Sequence, residues 1–205
     1  MSVEDEVLGT YLPGEGVLRL PEGLAKWLPA GAEIVLQMHY TSTGQAESDQ
    51  TEIRLEFGER PRERVYTMSV AEWEFAIPPF AAAHPVEAEF TVQTGVRVLA
   101  VTPHMHLRGR SMRVTAGETV VLDVPRYRFD WQLRRVLGKP VMLASGESIR
   151  VAATFDNSRN NPRNPDPSAT VRWGEQSWQE MMVAFVDVAI PAAWPPTEIY
   201  RRKRF

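Results

Sequence analysis

Apolar and polar residues alternate along this chain in short runs separated by turn-forming residues. The clearest runs are 33–40, 51–57, 87–93, 97–101, 111–116, 120–124 and 149–155. They are rich in Val, Ile, Thr and aromatics, and a period of two places successive side chains on opposite faces of a strand. Sixteen prolines and thirteen glycines sit mostly between the runs, as in Leu-Pro-Gly (12–14), Ile-Pro-Pro (77–79) and Leu-Gly-Lys-Pro (137–140). Proline cannot donate to an internal sheet ladder, so these clusters mark loops and edges. Long helical periodicity is missing. The best helical candidate is one turn at 177–180, where Ser177 and Glu180 stand three apart as in a capping box. Many short strands at this spacing predict an all-β chain folded as an antiparallel, jelly-roll-like β-sandwich.

The stretch 58–64, Gly-Glu-Arg-Pro-Arg-Glu-Arg, is charged and lacks apolar residues, as linkers often do. It divides the chain into a unit 1–60 and a unit 61–205. Sixty residues with two or three strands do not close a sandwich alone. They either pack on the second unit or form the remaining end of a truncated domain. No internal repeat is visible.

Apolar residues make up 43% of the 205, enough for a sizeable core and too many for a disordered chain. Net charge is −3, with 23 basic and 26 acidic residues well mixed, which leaves no electrostatic footprint for nucleic acid or an anionic membrane surface. The basic run at 201–204 reads as a solvated tail. Cysteine is absent, which removes disulfides, thiolate metal sites and cysteine nucleophiles together. No apolar run reaches 18 residues, so no membrane-spanning helix is expected. The acidic first residues lack a signal peptide's apolar region. If the parent protein is exported or periplasmic, its address is expected outside this chain.

Four histidines are present, and two of them stand one residue apart in Val-Thr-Pro-His104-Met105-His106-Leu-Arg. In a strand, residues i and i+2 share a face, so both imidazoles can converge on one metal. Imidazole suits copper, zinc, iron and nickel alike, so the pair names a metal site without naming the metal; two solvated or core histidines are the bland alternative. Met181 and Met182 lie where an acidic turn runs into an apolar strand. A thioether favours Cu(I) and suits zinc or magnesium poorly, although methionine in such a place is commonly core filler. Adjacent strand residues face opposite ways, so one of the two at most is placed to join the histidines. His39 ends an apolar run and reads on its own as a half-buried histidine, while His84 reads as a loop residue without a role. A third metal centre to weigh is His39 joining His104 and His106, with zinc. The loop 156–167 is dense in Asn and Pro; it reads as a rigid loop held by Asx turns, with a cation site at Asp156, Asn157 and Asp166 as the alternative. No Gly-rich phosphate loop, Gly-x-Ser-x-Gly elbow or His-Glu-x-x-His helix occurs.

Three segments resemble the copper type II, ascorbate-dependent monooxygenases, the family of peptidylglycine alpha-hydroxylating monooxygenase and dopamine beta-monooxygenase, and its bacterial branch in particular. Leu36-Gln-Met-His39-Tyr40 is similar to the strand that supplies the last histidine of the family's first, all-histidine copper site. His104-Met-His106-Leu-Arg-Gly109 is similar to the His-x-His segment of its second copper site, and Glu180-Met181 to the Glu-Met step that completes it. Their order and approximate spacing agree over nearly the whole chain.

The resemblance implies an oxidoreductase of two β-sandwich domains, a monooxygenase that hydroxylates a substrate C–H bond with O2, copper and ascorbate as reductant. Carried over residue by residue, it makes His104, His106 and Met181 the catalytic, oxygen-activating copper ligands and His39 one ligand of the electron-transfer copper. Residues 1–60 would then be the C-terminal part of the first domain and 61–205 the whole second domain. The first site needs two earlier histidines and residues 1–38 hold none, so a missing N-terminal copper half-domain is the implied partner. The positions that anchor a peptide carboxylate in the peptide hydroxylase are matched here by Thr102, Val183 and Phe185, which cannot pair with a carboxylate. The substrate class, small molecule or peptide, stays open, with peptidylglycine disfavoured. A non-catalytic copper-binding or purely structural sandwich is the alternative.

Overall fold

The fold is that of a computed structural model, which describes residues 6–12, 14–40 and 43–200. Eleven strands appear in the described residues: β1 (Leu24–Ala25), β2 (Glu63–Ala71), β3 (Ala76–Ile77), β4 (His84–Thr91), β5 (Val96–Met105), β6 (Gly109–Ala116), β7 (Thr119–Val124), β8 (Arg135–Leu143), β9 (Ser148–Phe155), β10 (Val171–Arg172) and β11 (Met182–Pro191). One short helix, α1 (Thr197–Tyr200), follows. The predicted helical turn at 177–180 is instead a non-helical turn closed by the Gln179 N–H on the Gln176 carbonyl.

Two sheets make the sandwich. One runs β1-β2-β11-β5-β8 and the other β4-β9-β6-β7, while β10 and β3 form a small separate pair. All pairings are antiparallel except the short β1, which lies parallel to β2. Between the sheets lies one core that joins Met68, Val101, Met105, Met182 and Val186 of the first sheet to Val114, Ile149, Val151 and Phe155 of the second. These are the inward positions of a period-two pattern, so the all-β sandwich expected from the alternation is the fold observed.

The strands expected at 33–40 and 51–57 do not form. Those residues pair with no strand among the described residues, and their apolar side chains lie open: Val35, Tyr40 and Phe57 are at least two-thirds exposed. The composition suits a strand, yet a strand needs a neighbour for its N–H and C=O groups, and none of the described residues supplies one. The opposite error concerns 58–64, read as a charged linker. β2 begins inside it, and Arg64 is buried because the segment before residue 28 covers the outer face of this sheet. Arg64 pairs there with Glu6, Lys26 donates to the Thr67 hydroxyl, and Leu20 and Leu24 pack on Val65, Leu99 and Ala189.

This contrast predicts the amide exchange pattern. Amides of 33–40 and 51–57 should exchange with solvent orders of magnitude faster than those of β5 and β11, measured by hydrogen–deuterium exchange. Equal protection would mean that the two segments have found strand partners.

Candidate metal centre

The two central strands β5 and β11 build the site through their register. Met105 lies opposite Met182 and His104 opposite Val183. Directly opposed residues share a face. Met105 and Met182 are wholly buried and point into the core. His104 and His106, one step either side of Met105, therefore take the outer face. Continued one residue past the ladder, the same register would set Met181 on that face opposite His106. Met181 is half-buried, whereas Met182 belongs to the core.

The corner is held by buried polar groups. Glu180, fully buried, accepts the N–H of His106 at 2.8 Å and that of Arg108 at 2.6 Å. Tyr127 spans Met105, accepting its N–H at 2.9 Å and donating to its carbonyl at 2.5 Å. Gly109 follows because a Cβ there would stand 2.7 Å from both Met105 Cβ and the Tyr127 ring. Pro103 is tolerated because β8 pairs with β5 no further than Val101, so from there one edge of β5 has no strand beside it.

In place of β8, Gln132 closes that edge. Its Nε2 donates to the Phe129 carbonyl at 2.7 Å, which turns Oε1 toward His104 Nδ1 at 2.6 Å. An amide oxygen only accepts, so Nδ1 carries the proton and Nε2 keeps its lone pair. His106 has the Gln179 carbonyl 3.2 Å from its Nδ1, and the Gln176 carbonyl also acts on this ring. The two rings meet edge to face with centroids 5.2 Å apart. Burial above all pushes His104 down to about 4, helped by the charges of His106 and His39 and opposed by the Gln132 bond. Burial likewise lowers His106 against the pull of the Gln179 and Gln176 carbonyls.

Two buried imidazoles in edge-to-face contact, each with Nδ1 at an acceptor oxygen, have a chemistry that suits a first-row metal ion. His39 is among the charges that lower both rings, so it lies within electrostatic reach of the pair. It does not join them. Among the described residues no three His, Cys, Asp or Glu side chains form a metal cluster, which removes the centre of three histidines. His84 opens β4 rather than lying in a loop.

The loop 156–167 is the Asx-turn structure expected. Asp156, Asn161, Asn164 and Asp166 each accept the N–H two residues on. Arg108 meets this loop from outside, its Nε donating to Asn157 Oδ1 at 2.9 Å. Neither Arg108 nor Gln132 stood out in the sequence: each acts through partners dozens of residues away, and no local spacing signals it.

No protein-family model and no curated protein sequence matches the chain. Among solved structures, dimeric latent PorU from Porphyromonas gingivalis aligns with 63% of this chain and 13% of its own, at 11% identity and a TM-score of 0.28. The infectious bursal disease virus VP2 subviral particle aligns with 67% and 35%, at 13% identity and a TM-score of 0.27. The chain spans about an eighth and a third of those two proteins, and likeness at this level bears on neither fold family nor function.

The pKa of His104 generates a direct check. Its folded value, about 4, lies below the unfolded 6.5, so its contribution to stability is present above pH 6.5 and is lost as pH falls through 4. NMR titration of the metal-free protein should find this imidazole neutral at pH 5.5. Half-protonation near pH 6.5 would show that the ring is solvated.

Proposed function

We propose that this chain is the oxygen-activating module of a copper-dependent monooxygenase, which hydroxylates a C–H bond with O2 and a reductant such as ascorbate. The reading is supported by the edge-to-face contact of the His104 and His106 rings, with an acceptor oxygen at Nδ1 of each, and by a β5–β11 register whose continuation would bring the half-buried Met181 to the same face. The three segments of family resemblance supply the reaction class, and this arrangement is what such a site requires of them.

His104, His106 and Met181 would hold the metal. Copper bound there would supply one-electron redox chemistry toward dioxygen, with the thioether favouring the reduced ion. The protein's own part is positional. Gln132 and the Gln179 carbonyl fix the tautomers of the two rings, burial keeps both neutral, and Glu180 fixes the spacing of β5 against the start of β11. The outer face beside His104 carries Thr102, Val183 and Phe185, with the His104 and Phe185 rings 6.1 Å apart. That wall has no cation for a carboxylate, which favours a substrate without one at this point.

His39 supports a second reading. The sequence holds only four histidines, two of which this reading assigns to the oxygen-activating site, and His39 has no cluster of its own among the described residues. A module that binds copper without turnover is the consequence if no partner completes an electron-transfer site. Oxygen consumption with copper and ascorbate by the full parent protein separates the two readings.

The ligand assignment is tested by Cu(I) titration of two neighbouring variants. Met181→Ala should weaken Cu(I) binding tenfold or more and leave the fold intact. Met182→Ala should keep the affinity and lose about 2–5 kcal/mol of stability in urea, as buried Met-to-Ala changes do. Unchanged affinity in Met181→Ala would remove the thioether from the site.

A further inference from the structure

Arg108 is an unusual residue for this corner. It is 1% exposed, among the largest fully buried side chains, in a loop two residues beyond the His-x-His segment. Burying a guanidinium is costly unless its donors are satisfied, and here the 156–167 loop and the 176–180 turn meet them. Nε donates to Asn157 Oδ1 at 2.9 Å, Nη1 to the Trp178 carbonyl at 2.8 Å, and Nη2 makes a longer contact of 3.4 Å to the Asp166 carbonyl. Its backbone N–H completes the set on Glu180 Oε1.

Asn157 is itself fixed, since its Nδ2 donates to the Pro78 and Ala169 carbonyls at 2.9 Å each. The Asn/Pro loop is therefore a rigid base, and Arg108 is the strut that rises from it. The far end of the strut is the 176–180 turn, held at the Trp178 carbonyl and at the Glu180 carboxylate. Between those two points lies Gln179, whose carbonyl orients His106, and immediately after them comes Met181.

We propose that Arg108 is a positioning residue for Met181: its planar fork, braced on Asn157, fixes the turn that delivers the thioether to the two imidazoles. This rests on the copper reading above. It gives the Leu-Arg-Gly step and the Asn/Pro loop one joint task, to set the third ligand rather than to bind a cation or substrate. His104 is held separately, by Gln132 on another loop, so loss of the strut should release the sulfur while leaving His104 in place.

The test is X-ray absorption of the Cu(I)-loaded full chain, which reads sulfur and imidazole scattering separately. Wild type should show both. Arg108→Lys keeps the charge but not the fork, and should lose the sulfur contribution, keep imidazole scattering and bind Cu(I) about tenfold more weakly, as outer-shell changes do. Arg108→Gln, which keeps one planar donor without burying an ammonium, serves if the lysine variant fails to fold and should behave alike. A folded variant with undiminished sulfur scattering overturns the role of Arg108 and leaves the copper site standing. Wild type without sulfur scattering overturns both, because no thioether would then need placing.

Discussion

A single buried carboxylate ties the end of β5 to the start of β11. Glu180 accepts the N–H groups of His106 and Arg108, at the point where the antiparallel ladder that ended with Met105 opposite Met182 no longer holds the chains together. Burial raises the pKa of this carboxyl, while the N–H groups of Arg108, His106 and Met181 and the charge of Arg108 pull it back. Removing the carboxylate would leave two buried donors without partners, at about 1–3 kcal/mol each. Placed as it is, it holds the two chains together beyond their last backbone pair, as the proposed meeting of residue 181 with an imidazole some 75 positions earlier in sequence requires.

Around this bond the corner is over-determined. Tyr127 and Gly109 fix the backbone of the His-x-His segment from the core side, Gln132 closes the edge that β8 leaves open, and Arg108 braces the opposing turn on the Asn/Pro loop. Rigid support of this kind is what a site for two imidazoles and a thioether needs, because weak or flexible ligands hold a metal only when their geometry is fixed in advance.

Strands whose outward residues are polar, β4, β6 and β9 among them, were legible from alternation alone. β8 was not, because Gly138 and Pro140 read as a turn, and only at a sheet edge does a strand tolerate them. β2 was hidden by charges whose partners are Glu6 in the N-terminal segment and Arg97 on β5, a tertiary fact with no local signature. Residues 33–40 and 51–57 carried strand composition without a partner to pair with. At the site, the shared face of His104 and His106 followed from a period of two, but choosing Met181 over Met182 needed either the resemblance or the observed register. Arg108 and Gln132 were invisible because a buried polar group is recognised by what it touches, and their partners lie on other loops.

The central claim is that one copper ion meets two imidazoles and the sulfur of residue 181. Anomalous diffraction at the copper edge, from crystals of the chain loaded with Cu(I), tests it most directly. The account predicts one peak within bonding distance of Nε2 of His104, Nε2 of His106 and the Met181 sulfur. A peak at His39 or His84 instead, or one at the histidine pair with that sulfur turned away, would contradict it.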